Sequence, residues 1–95
     1  MRYTWDKKKN RRNVRFRGID FRDAVRIFDG PTLEQVDERF DYNEVRVYAI
    51  GVVNGLEITV IYTDREEDER RIISAWRSVP HERRAYWRSL EELSE

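Results

Sequence analysis

Asn54-Gly55 stands between two runs rich in β-branched and aromatic residues, and no other dipeptide in the chain constrains its fold as strongly. Both central residues of a type I′ turn need positive φ, which Asn and Gly adopt at least cost, so the pair predicts a two-residue hairpin. On its N-terminal side Val45, Val47 and Ala49 alternate with Arg46, Tyr48 and Ile50 before Gly51-Val52-Val53. The return strand runs from Leu56 to Thr63, with Leu56, Ile58, Val60 and Tyr62 on one face. Asp64 to Glu69 holds five acids and one Arg and reads as an exposed loop. From Arg70 a third strand follows; strict alternation puts Ile72, Ser74 and Trp76 on one face and Arg71, Ile73, Ala75 and Arg77 on the other. Three consecutive antiparallel strands make a meander.

The segments around the meander fix the fold class. Arg2-Tyr3-Thr4-Trp5 alternates, which predicts a short strand with Tyr3 and Trp5 on one face. Asp6 suits an N-cap and Gly18 the left-handed position that ends a helix, so a helix is expected over 7–17. Asp20 caps a second helix in which Phe21, Ala24, Val25 and Phe28 form an apolar stripe, ended by Asp29-Gly30-Pro31. Leu33 to Phe40 reads as an irregular edge strand. Pro80 fits the first turn of a closing helix, on which Val79, Tyr86, Leu90 and Leu93 form a seam toward the sheet. The class is α+β: a strand, two helices, a meander and a C-terminal helix packed on the sheet.

With 95 residues the chain suits one domain spanning 1–95, because two halves would each be too small to bury a core. No apolar run is long enough to span a membrane and no signal peptide is evident, so a cytoplasmic protein without membrane partners is the simplest expectation. The absence of Cys excludes disulfides and thiolate metal sites, and a single His disfavours zinc; no cofactor is implied. The formal net charge of zero hides a division. Residues 1–30 hold 10 Lys/Arg against 4 Asp/Glu, residues 31–69 hold 3 against 11, and residues 70–95 hold 6 against 4. A basic half suits phosphates and an acidic half suits a basic partner; equally, the halves can neutralise each other once folded.

Two readings stand for the polar first helix. Lys7, Lys8, Lys9, Arg11, Arg12, Arg15 and Arg17 either contact an RNA backbone or form a solvated face. His81, in the first turn of a helix, reads as a capping or surface residue, since a helix N-terminus disfavours imidazolium. Glu82 is either a general base or a structural carboxylate at that helix start, and Trp76 either stacks on a base or packs in a core or interface.

One set of residues points further. Trp5-Asp6, Lys9, Asn13, Gly18-Ile19, Phe21, Ala24 and Phe28 are followed by Tyr42-x-Glu44, Arg46, Gly51 and Tyr62-Thr63. Then come Arg71-Ile72-Ile73-Ser74-Ala75, Glu82-Arg83 and Tyr86. In order and spacing, over nearly the whole chain, this resembles the BrnT ribonuclease toxins of type II toxin–antitoxin systems. The resemblance implies a RelE-like fold, metal-independent endonucleolytic cleavage of RNA and inhibition of translation. It also implies neutralisation by a BrnA-like antitoxin, with operator DNA touched only through that antitoxin. Two positions depart from the family pattern. Phe16-Arg17-Gly18 replaces Lys-His-Gly, and Ala75-Trp76 replaces Ala-Arg, with Arg77 one position later.

That chemistry assigns roles. Cleavage without a metal requires the 2′-OH to lose a proton, the phosphorane charge to be stabilised and the 5′-oxygen to gain a proton. Arginines stabilise charge but are poor bases. Arg71, Arg77 and Arg83 are therefore the expected phosphate binders, Tyr62 and Tyr86 the expected stacking or proton-transfer residues, and Lys9, Arg12, Arg17 and Trp76 the expected RNA contacts. The substitutions at 17 and 76 leave a second reading open, a catalytically degenerate toxin that still binds antitoxin or RNA. A third, resting on charge alone, is a non-enzymatic RNA- or protein-binding module.

Overall fold

A computed structural model describes residues 1–39 and 41–94. The predicted hairpin is its centre. Val47–Val53 (β3) and Leu56–Arg65 (β4) pair antiparallel, and Asn54 and Gly55 both take positive φ, as a type I′ turn requires. Glu69–Arg77 (β5) pairs antiparallel with β4 and completes the meander. The acidic loop is tighter than expected: β4 runs on to Arg65 and β5 begins at Glu69, so the turn spans only 66–68. Glu67 and Asp68 supply its positive φ angles.

Arg2–Trp5 (β1) joins the far side of β5 in parallel, and Leu33–Val36 (β2) forms the opposite edge beside β3. The order is β1-β5-β4-β3-β2. Thus β2 is the expected edge strand, shortened to four residues; Phe40 lies outside the described residues.

The first helix, Lys7–Arg17 (α1), has the expected ends: Asp6 accepts from the Lys8 and Lys9 amides, and Gly18 closes it with φ 71°. Its apolar residues Val14 and Phe16 are both exposed, Phe16 by 73%. Hence α1 docks through polar links. Asn10 donates to Asp20 and accepts from the Phe21 amide, while buried Asn13 donates to the Ile19 carbonyl.

The second helix corrects an expectation. Phe21–Ala24 (α2) makes one α-turn, then Val25–Asp29 tightens into a 3-10 helix. With three residues per turn, the inward positions become Phe21, Ala24 and Ile27. Val25 and Phe28 are only half-buried at the flank of the core. These residues pack on Ala49, Ile58, Val60, Tyr62, Ile72 and Ala75 of the sheet.

Pro80–Leu93 (α3) begins with the proline and packs across the other face of the sheet, where it buries Glu82 and Tyr86. The predicted seam is only partly realised, since Val79 and Leu93 are exposed.

The largest correction concerns β5. Tyr62 pairs with Ile72 while Ile61 pairs with Ser74, so Ile73 is an extra residue, a β-bulge. Past it the alternation inverts. Ile72 and Ala75 share the core face, whereas Ser74 and Trp76 turn to the opposite face with Thr59 and Ile61.

Two predictions test this packing. A Cβ on Gly51 would stand 2.6 Å from the Ile27 Cβ. Gly51→Ala therefore costs about 1–3 kcal/mol and lowers Tm by at least ~5 °C, and an unchanged melting temperature would contradict the contact. Asp20, held below the usual carboxylate range by the Arg22 amide and then by Asn10, adds stability above pH ~4 that is lost as pH falls through its folded value. Urea midpoints of wild type and Asp20→Asn should differ most at neutral pH and converge toward pH 2; a constant gap would count against this role.

Candidate functional site

The inversion at Ile73 builds a groove on the α3 side of the sheet. Arg17, Arg39, Tyr42, Arg46, Ser74, Trp76 and Arg77 line it, over a floor of Ile61 and Ile73, with a volume of about 600 Å³. Each wall has a local cause. Arg17 is the last residue of α1, carried beside β5 past the point where β1 ends. Ser74 and Trp76 face the groove because of the bulge. Arg77, the exposed last residue of β5, contributes from the strand end. Arg39, Tyr42 and Arg46 come from the connection between β2 and β3.

Trp76 is held from several sides. Its indole Nε1–H donates to Glu82 Oε1 at 3.1 Å, Tyr48 meets it edge-on at 5.9 Å, and the Arg17 guanidinium stands 5.2 Å from its ring centroid. Arg17 also donates to Ser74 Oγ at 3.3 Å. Glu82 is 4% exposed and accepts from three donors: Trp76, the Thr59 hydroxyl at 3.0 Å and the Val79 amide at 2.8 Å. Thr59 is further tied to Ser78 at 2.7 Å. Burial pushes the Glu82 carboxyl above its ordinary value, opposed by the Val79 amide.

The four guanidiniums differ in charge balance. Arg39 makes a two-point pair with Asp37 at 2.8 and 3.0 Å, and this pairing holds the Asp37 carboxyl below the usual range. Arg46 pairs with Glu44 at 3.3 Å and lies 3.9 Å from the Tyr42 ring centroid. Among the described residues neither Arg17 nor Arg77 forms an ion pair, although Arg77 stands near Glu57, whose carboxyl is held low by the Trp87 hydrogen bond first and by the Arg83 and Arg77 charges as well. A second depression, lined by Lys9, Arg12, Asn13, Phe16, Arg17, Ile73 and Ser74, continues it along α1. Together they make a basic, aromatic-bearing surface suited to a single-stranded nucleic acid.

The structure therefore brings together Lys9, Arg12, Arg17, Trp76 and Arg77 of the residues singled out in the sequence. It separates the others. Arg71 lies near Asp6, the α1 cap, whose carboxyl is held low first by the Lys9 and Lys8 amides and then also by the Arg71 charge. Arg83 donates to the Ser78 carbonyl and lines a different depression with Glu57, Arg84, Trp87 and Arg88. Tyr62 is 3% exposed on the core face; its hydroxyl donates to Glu34 at 2.8 Å, and the Arg70 guanidinium covers its ring at 4.0 Å. Burial, then the Glu34 hydrogen bond, pushes its hydroxyl far up. Tyr86 is also buried and raised by burial, with its hydroxyl donating to the Pro31 carbonyl at 2.9 Å. His81 lies in another pocket, between α3 and β2–β3.

Arg39, Tyr42, Arg46 and Ser74 are additions of the structure. Tyr42, Arg46 and Ser74 lie among the residues that carry the family resemblance, which was their only signal. Arg39 offered none beyond being a basic residue in an acidic stretch.

Comparison with known proteins agrees with that resemblance. The sequence profile of the family described as "Ribonuclease toxin, BrnT, of type II toxin-antitoxin system" matches residues 5–82. A solved structure, the Brucella abortus ribonuclease toxin BrnT, is 28% identical and superposes with a TM-score of 0.63, covering 83% of this chain and 97% of that one. No curated protein sequence matches.

Removing the Tyr62 hydroxyl tests its interior placement. Tyr62→Phe should cost about 1–2 kcal/mol of stability and leave nucleic-acid affinity within about twofold. A large loss of affinity from folded protein would place Tyr62 at the site.

Proposed function

The chain belongs to the BrnT family of ribonuclease toxins of type II toxin–antitoxin systems, and from that premise we propose that it is an RNA endonuclease which arrests translation without using a metal ion. The observation that carries this reading is the pair Arg17 and Arg77, neither in an ion pair among the described residues, on one groove with Trp76 and Ser74. Two guanidiniums at one phosphate suit a reaction whose charge grows on the non-bridging oxygens as the 2′-oxygen attacks phosphorus. The P–O5′ bond breaks, and the products are a 2′,3′-cyclic phosphate and a 5′-hydroxyl. Arg17 and Arg77 bind the scissile phosphate, while Lys9 and Arg12 hold the neighbouring backbone. The Tyr42 and Ser74 hydroxyls are the groups in the groove able to pass a proton to or from the reacting oxygens. Tyr62 and Tyr86 are structural in this reading, and Arg71 and Arg83 lie outside the groove. An antitoxin of the same operon, similar to BrnA, holds the toxin inactive.

A second reading is favoured by one feature: the residues lining the groove include no histidine, and Arg17 stands where the family pattern has one. In that reading the chain binds antitoxin and RNA but cuts slowly or not at all.

Inducible expression in a bacterium lacking the neighbouring antitoxin gene separates the two. Growth arrest with RNA cleavage, both lost in Arg77→Ala, supports the nuclease. Normal growth with intact RNA from soluble, folded protein supports the degenerate reading, and toxicity should then be recovered by Arg17→His together with Trp76→Arg.

A further inference from the structure

The Trp76 site contains more order than phosphate binding requires. A tryptophan at the end of a strand ordinarily keeps rotameric freedom, yet this indole is fixed at its nitrogen, its edge and one face. The fixing group is a buried carboxylate that also ties β4, the 78–79 turn and the first turn of α3 together. Burying a carboxylate is costly unless its hydrogen bonds are made, so a Glu kept there has to be held by those donors. Helix capping alone does not require the indole as a third donor.

The ring face also has a distinctive partner. Arg17 covers it as a planar cation at 5.2 Å rather than as packed aliphatic carbon. A nucleobase is a planar π-system of similar extent and can take that place, and the displaced guanidinium then lies beside the phosphate of the same nucleotide. Tyr48 meets the indole at a steep 67° and adds a further contact that holds its plane.

We propose that Trp76 is a stacking platform for one unpaired base of single-stranded RNA, and that Glu82 is the positioning residue that sets the plane of its indole. The proposal rests on the RNA reading above and deepens it: the chain selects an unstacked base next to the phosphate that Arg17 and Arg77 hold. Since the platform is an indole with no base-edge donors aimed outward, it distinguishes base from no base more strongly than one base from another.

Fluorescence anisotropy with the full chain tests it. The probe is a single-stranded 2′-O-methyl RNA 12-mer, in which the blocked 2′-oxygen prevents cleavage, against the same oligonucleotide with three central abasic positions. Wild type should bind the abasic strand roughly tenfold or more weakly. Trp76→Ala should weaken the full strand by about the same factor, so that it binds full and abasic strands alike and discrimination disappears. Glu82→Ala should erode discrimination in the same way, and Glu82→Gln, which keeps the Oε1 acceptor, should restore it. A far-UV circular dichroism spectrum like that of the wild type and a cooperative thermal transition show that each variant still folds. Equal affinity of wild type for both strands overturns the proposal, as does Glu82→Ala with full discrimination. Discrimination without any cleavage of ordinary RNA keeps the platform and removes the nuclease reading. Cleavage without discrimination does the reverse.

Discussion

One extra residue in β5 determines what this protein can present to a partner. Without the bulge at Ile73, Trp76 would share a face with Ile72 and lie toward the core. With it, Ser74 and Trp76 look outward, beside the end of α1. A one-residue slip inverts every later side chain on a strand, so the bulge acts on the whole groove wall. The core tolerates it because Ala75, paired with Val60, restores an apolar residue on the inner face immediately after the irregularity.

The groove side is held by polar links where the core side is held by apolar contact. Thr59, Ser78, Trp76 and the Val79 amide surround the Glu82 carboxylate, and no buried side-chain nitrogen or oxygen among the described residues lacks a hydrogen-bond partner. Such networks fix geometry firmly because each member loses a partner if another moves. The charge division along the chain is resolved in space by the same logic. Part of the acidic middle neutralises nearby arginines, as Asp37 does for Arg39 and Asp64 for Arg70. Among the described residues the terminal residue of α1 and that of β5 enter no ion pair, and both line the groove.

Much of the fold was legible in the sequence because its signals are local. Asn54-Gly55, the Asp6 and Gly18 caps and Pro80 each state their conformation within a few residues. What was not legible depends on distant partners. The 3-10 stretch brings Ile27 inward against Gly51, a contact visible only once β3 is placed. The bulge depends on the register between β4 and β5. Tyr62 looked available as a phenol on a strand, but the face it occupies is the one covered by Phe28 and Arg70. Arg17 and Trp76 were identified as departures from a family pattern, yet their direct contact, 59 positions apart in sequence, belongs to the tertiary structure.

The central claim is that RNA lies along the groove face of β5. Photo-crosslinking of a 4-thiouridine RNA oligonucleotide to the protein, with the attachment points mapped by mass spectrometry, reads this directly. Attachment to peptides containing Trp76, Arg77 and the end of α1 is the result this account predicts. Attachment confined to the outer face of α3, around Trp87 and Arg88, would contradict it.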